Sequence, residues 1–426
     1  MAPFSAHSLS SRAFDPGLTS REFSTQWRGP NEVFSVLLIL GGDVVAVALA
    51  QLCGGRLTPV AFSFGWVSYA VIALVSVVGE NRLMRKPDFS CKVINGKVGY
   101  IRDNSSWIIG RMVRDFEYWM DPKTSSRLDE MIEEKWQKSR GKAERVEAGS
   151  GKEVKRPKFT GLCVSIYKAG HGEPGQPGHD IIYYSGFVVT IIQLGIAAVP
   201  CGLFGDWGTL LITICGIVLS FATGSLPQWS KEKWACRRKT KKDVILTAGN
   251  GSQHAIVVLG DGRGLDLEDL AAGQTRMNIL ISRSTRVAIF SLALLWVVLL
   301  IAAASLKENS WFLLATGGIG ILQNIVVAGC RRNPEAFGVP LTFVEVIGEI
   351  KIMATLYKVE EKYPGLGRNM LDTFFPGKLR DYERDRWNKY GAHHRDNMEG
   401  KPVAVQHTAA VVPEVQGSSE ERNKQT

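Results

Sequence analysis

The chain has 426 residues, 51 Lys and Arg against 41 Asp and Glu, and a net charge of +10. Mean hydropathy is zero, but nearly all charge lies outside six apolar runs, so the basic excess reads as the positive-inside bias of a membrane protein rather than as a nucleic-acid surface. The seven cysteines contain no CxxC pair, which leaves no signal for a zinc site or a disulfide framework.

Residues 1–32 read as a cytosolic N-terminal segment. They lack the apolar core of a secretory signal, and Asp15 and Glu22 argue against a mitochondrial presequence. Residues 33–79 hold two apolar runs, Val33–Cys53 and Pro59–Gly79, joined by the turn Gly54–Thr58. Each matches the ~20 residues that an α-helix needs to cross hydrocarbon. Two further pairs follow at 183–226 (Tyr183–Gly202 and Trp207–Leu226) and 287–329 (Val287–Ser305 and Trp311–Gly329). The expected fold is an all-α six-helix transmembrane bundle of three helical hairpins, with a cytosolic α+β domain built from the insertions between hairpins. In that plan the three short turns share one side of the membrane, and both termini and the links share the other. The turns carry only Arg56 and Lys307, whereas Arg82, Arg85, Lys86, Arg331 and Arg332 flank helix ends on the side of the links. That side is expected to be cytosolic, in the plasma membrane or endoplasmic reticulum, and the sequons at Asn104 and Asn250 are expected to stay unglycosylated there.

The insertion 80–182 predicts a hairpin over Phe89–Arg102 with its turn at Asn95-Gly96, a helix over Ser106–Trp119, and a second helix over Ser126–Ser139. A charged, mobile linker is expected at Arg140–Lys158 and a strand at Gly161–Ala169. The insertion 227–286 predicts strands Val244–Thr247 and His254–Leu259 around a glycine turn, then a short helix over Gly264–Ala272. Residues 330–390 read as a helical segment, with an apolar helix at Leu341–Tyr363 capping the sheet, and 391–426 as a disordered tail.

Two stretches, Val98–Arg111 (VGYIRDNSSWIIGR) and Gly249–His254 (GNGSQH) with Gly264–Leu270 (GLDLEDL), carry a resemblance. Across about Gly29 to Tyr390 the chain resembles a group of uncharacterised multi-pass membrane proteins of filamentous fungi. That group has no assigned activity, so the resemblance implies a eukaryotic membrane protein and transfers no functional residue.

Among candidate functional residues, Asp43 stands at the centre of the first apolar run, where an ionised carboxylate costs roughly 2.5–3.5 kcal/mol. The small residues Gly42, Ala46, Ala50 and Gly54 beside it suggest close packing, so Asp43 is expected to face the bundle in a polar midplane layer with Tyr69 and Gln193. Arg237, Arg238, Lys239, Lys241 and Lys242 form the densest basic cluster and suggest contact with anionic lipid headgroups, or a purely topological role. Gly249-Asn-Gly251 and Gly260–Gly264 lack the Lys and Ser/Thr of a phosphate loop and read as turns. His171, Glu173, His179 and Asp180 match no metal-ligand spacing, and no cofactor is expected.

Three readings compete. The first is a membrane-anchored binding or regulatory protein that takes a protein partner or ligand through its cytosolic domain. The second is a small-solute or ion transporter using Asp43. The third is a membrane-embedded enzyme, for which no acid–base pair, activated nucleophile or metal set is evident.

Overall fold

The computed structural model describes residues 31–146, 155–170, 175–273, 279–306 and 309–399, with the backbone alone for 31–40, 142–146 and 391–399. The first elements are α1 (Asn31–Leu52), α2 (Gly65–Gly79), β1 (Lys92–Asn95), β2 (Ile101–Asp103), α3 (Trp107–Arg114), α4 (Phe116–Trp119) and α5 (Pro122–Val146). Next come β3 (Leu162–Ala169), α6 (Ile181–Phe204), α7 (Gly208–Gly224), α8 (Pro227–Lys233), β4 (Val244–Thr247), β5 (His254–Leu259) and α9 (Leu267–Ala272). Last are α10 (Arg283–Ser305), α11 (Ser310–Gly329), β6 (Leu341–Glu349), α12 (Ile352–Lys362), α13 (Leu366–Phe374) and α14 (Asp381–Glu399).

Three helices, α6, α10 and α11, are long and apolar enough to cross a membrane. A fourth span arises if α7 is taken with α8, which is bent from it by 41°. Packing runs in a closed ring: α1 on α2, α2 on α10, α10 on α7, α7 on α6, α6 on α11, and α11 back on α1.

The centre of that ring is not helical. Residues 53–64, expected to hold a turn and the first part of a second helix, run instead as an extended arm, and α2 starts only at Gly65. Thr58-Pro59 favours this course, because the residue before proline is pushed toward extended geometry. The arm fits because its neighbours are glycines at the contacts. A Cβ on Gly186 would lie 1.9 Å from the Pro59 carbonyl oxygen, and one on Gly320 would lie 1.7 Å from that of Phe62. Below the arm the Trp296 ring stacks on both Phe62 and Trp66, with centroids 6.2 and 5.5 Å apart.

This arm overturns the expected first hairpin. The far ends of the other two hairpins do meet, through Asn309 Nδ2 donating to Asp206 at 3.1 Å. The end of α1, by contrast, lies at the opposite end of the ring, beside the sheet: Gly54 packs on Trp234, and Gln51 reaches Cys330. From there the arm descends to the level of Gln193 and Thr316, and α2 climbs back to Leu83, whose N–H donates to Glu232. Both ends of 53–80 therefore sit at the sheet end.

The strands form one six-stranded sheet in the order β2-β1-β4-β5-β3-β6. Only β3 and β5 pair in parallel; the other neighbours are antiparallel. On one face Val93, Val244, Leu246, Ile256 and Val258 pack with Ile108, Met112 and Leu270 of α3 and α9. The residues that alternate with them, such as Ile94, Ile245 and Val257, are also buried, so both faces are covered. The β1–β2 hairpin forms as expected, with a longer turn in which Asn95 Oδ1 accepts from the N–H groups of Lys97 and Val98.

Several local expectations change. Leu341–Tyr363 is not one helix: LTFVEVIGE is the edge strand β6, and α12 follows it. Its β-branched and aromatic residues prefer the pleated surface beside β3 to a helix. Residues 330–390 are therefore not purely helical. The helix expected over Ser106–Trp119 breaks at Asp115 into α3 and α4, and α5 extends through Val146 into the expected linker. Residues 147–154 of that linker, the segment 1–30, Lys307, and 400–426 of the expected tail lie outside the described residues; 391–399 belong to α14 rather than to a disordered tail.

Among the described residues, 378–399 belong to a separate compact unit. Within it Arg384 pairs with Asp381 at 2.7 Å, and the Trp387 and Tyr390 rings lie 5.9 Å apart.

Candidate functional site

The last carbonyls of a helix have no intrahelical partner and carry the negative end of its dipole. α1 and α11 both end at the seam with the sheet, and cations meet them there. Lys233 Nζ donates to the carbonyl oxygens of Gln51 and Cys53 at 3.0 and 2.9 Å. Arg332 Nη1 donates to Gln51 O at 2.8 Å, while its other nitrogens hold Asp180 at 2.7 and 2.9 Å. Arg111 Nη2 donates to Ala328 O at 3.1 Å and lies 2.9 Å from Asp88. Gln51 Nε2 joins the two helix ends by donating to Val327 O and Cys330 O. All three cations are at most 3% exposed. Burial pulls the Arg111 guanidinium down to about 10 against the opposing effect of Asp88.

Beside Lys233 the seam opens into a cavity of about 330 Å³. One wall is the link after α2, with Arg82, Arg85 and Lys86; another is the start of α3, with Ser106 and Trp107. Four cationic residues line it against two acidic ones, and both acids are engaged. Glu80 pairs with Arg82 and Lys86. Glu232 accepts from the N–H groups of Leu83 and Met84 and from Gln228. Trp107 is buried and its indole N–H has no hydrogen-bond partner among the described residues. Ser106 occupies the N-cap of α3 but makes no capping bond with its side chain.

The expected midplane layer does not assemble. Asp43 faces outward, its side chain 77% exposed, and pairs with Arg85 at 2.8 Å. Gly42 packs on Ser68 of α2, and this contact turns the adjacent Asp43 away from the interior. Tyr69 is buried edge-on against Trp66, 5.7 Å between centroids. Gln193 instead donates to Phe62 O and Thr316 O. No hydrogen bond joins any two of the three among the described residues.

The basic cluster is divided. Arg237 pairs with Asp269, and Lys242 pairs with Asp266 and Glu268 at 2.9 and 3.0 Å. Arg238, Lys239 and Lys241 are exposed, with no ion pair recorded among the described residues. The acids of GLDLEDL thus have structural work. Glu268 also accepts from Asn95 and Arg102, and burial, which pushes its carboxyl up, is outweighed by the Lys242, Asn95 and Arg102 hydrogen bonds that hold it below the usual range. The two stretches singled out in the sequence are therefore neighbours in space.

Asp180 caps α6 and holds Arg332; His179 lies against Tyr183, 4.4 Å between ring centroids. His171 and Glu173 lie outside the described residues, among which no group of three metal-ligating side chains occurs. His254 is half-buried against Phe116, with neither ring nitrogen hydrogen-bonded among the described residues. Gly249, Gly251, Gly262 and Gly264 all have positive φ, as turn glycines do. Sequence reasoning missed the seam cations, because Lys233 and Arg332 lie 99 positions apart and only the fold joins them at Gln51. No family model, curated protein or solved structure matches the chain.

Proposed function

We propose that the chain is a multi-pass membrane protein that works as a membrane-anchored binding or regulatory protein rather than as a conduit. In this reading α1, α6, α7, α10 and α11 cross the bilayer, and 53–79 enters and leaves on the sheet side. The sheet domain is cytosolic, because Arg82, Arg85, Lys86, Arg331 and Arg332 cluster at that end. Asn31, at the start of α1, then lies on the opposite side.

The observation that carries the reading is the filled centre of the ring. Non-helical backbone at membrane depth must be buried in protein or line a wet cavity. Here Phe62 is 1% exposed, and the cavity bounded by Tyr69 and Trp296 holds about 10 Å³, room for about one water. A larger volume, about 330 Å³, opens at the seam. Asp43, the residue on which a transport route was to rest, lies outside the ring interior.

Cysteine labelling in sealed vesicles tests this reading. In a variant without the native cysteines, Arg56→Cys and Lys97→Cys are expected to react with an impermeant thiol reagent from the same side. Ser63→Cys is expected to react from neither. Labelling of Ser63→Cys from either side would reveal a wet pathway and favour transport.

A further inference from the structure

We propose that the seam cavity binds a phosphate-type anion, presented either by an anionic phospholipid headgroup or by a soluble phosphate ester. The inference rests on the reading of the chain as a membrane-anchored binding protein and names the chemistry of its ligand.

The donors converge from separate elements. Arg82, Arg85 and Lys86 come from the link after α2, and Lys233 of α8, whose ammonium is already held by the Gln51 and Cys53 carbonyls, adds its charge to the wall. The start of α3 brings the positive end of a helix dipole, and Ser106 leaves the side-chain capping position unused. The buried indole N–H of Trp107, a residue of the cavity wall, has no hydrogen-bond partner among the described residues, and buried donors are rarely left so. Glu232 is committed to the N–H groups of Leu83 and Met84, whereas Glu80 pairs with Arg82 and Lys86, so a bound anion shares those two cations with Glu80. Cations on one wall and a helix N-terminus on another suit a tetrahedral anion, which accepts from several directions, better than a planar carboxylate. The volume, about 330 Å³, lies at the lower end of small-molecule sites, which run to roughly 1,000 Å³. A route to lipid exists along the same wall: Arg85 reaches the outer face of α1, where it holds Asp43.

The test uses the full chain in neutral detergent. Phosphatidic acid and phosphatidylcholine are titrated separately and counted by native mass spectrometry, with glycerol 3-phosphate as the soluble probe. One phosphatidic acid or one glycerol phosphate is expected per chain, held about tenfold more tightly than phosphatidylcholine. Arg82→Gln with Lys86→Gln, and separately Trp107→Phe, are expected to weaken it about fivefold or more. Lys358→Gln with Lys362→Gln removes the same charge beside β6 and is expected to change nothing. Displacement of phosphatidic acid by glycerol phosphate assigns a soluble ligand, and lack of displacement a lipid. Equal loss in both charge-neutralised pairs, or no preference over phosphatidylcholine together with no glycerol phosphate binding, overturns the proposal. Failure of the reading as a binding protein rather than a conduit shows separately, as labelling of Ser63→Cys.

Discussion

Gln193 Nε2 donates to the carbonyl oxygens of Phe62, at 2.7 Å, and of Thr316, at 2.8 Å, so one amide ties the extended arm to α11 from α6. Asn324 does the same one residue away, donating to Ala61 O at 3.1 Å. The arm has no ladder or helix to satisfy its backbone, so buried amides on the surrounding helices take that role. Gln193→Leu should leave Phe62 O without this donor, at a cost of about 1–3 kcal/mol. Thermal unfolding in detergent should show a clear fall in midpoint. Gln323→Leu, whose partner is the half-buried Ser185 hydroxyl, should lower it less.

Glycine at the arm is a matter of space. Gly320→Ala would set a Cβ 1.7 Å from Phe62 O, whereas Gly318 has nothing within 4 Å of its Cβ position. Gly320→Ala should therefore reduce recovery of folded protein sharply, measured as the monodisperse fraction on size exclusion. Gly318→Ala should be neutral or slightly stabilising, since it lowers the conformational entropy that the unfolded chain loses on forming the helix. Equal behaviour of the two would mean that the arm does not pack as described.

Lys233→Met should test the seam. It removes two charge-assisted hydrogen bonds from the end of α1 but also relieves the burial of a charge, so the net loss should be on the order of 1–3 kcal/mol. Limited proteolysis should show faster cleavage near Gly54-Gly55, because α1 loses the cation on its last carbonyls. An unchanged cleavage rate would assign the hold on α1 to Arg332 alone.

His254 should make the sheet domain acid-sensitive. Burial lowers its pKa below the ordinary value of about 6.5, so the folded chain keeps it neutral where the unfolded chain binds a proton. Its contribution is complete above about 6.5 and is lost as pH falls toward the folded pKa. The thermal midpoint of His254→Leu should therefore fall less than that of the parent between pH 7.5 and 5. Parallel slopes would mean that other groups carry the acid sensitivity.

Much of the fold is legible in the residues themselves. Apolar runs long enough to cross a membrane mark α6, α10 and α11, because length and hydropathy are local properties. The β1–β2 and β4–β5 hairpins follow from turn chemistry between β-rich runs. Gln193 is recognisable as a buried polar residue, although its partner is not. The arm is the counterexample: Pro59–Gly79 is apolar enough for a helix, and nothing local states that Gly186, Gly216, Gly317 and Gly320 stand ready to receive it. β6 is a second, since Leu341–Glu349 becomes a strand by pairing with β3, more than 170 positions earlier.

Membrane-length apolar helices, and an α+β domain with basic residues beside one set of helix ends, follow from the order of the residues alone. Packing in three dimensions is what points Asp43 outward to Arg85, fills the ring with the arm, and gathers Lys233, Arg332 and Arg111 on the ends of α1 and α11. Hydropathy and turn chemistry act over a few neighbouring residues. The satisfaction of a buried carbonyl or a buried cation depends on which distant segments the packed chain brings within hydrogen-bond reach.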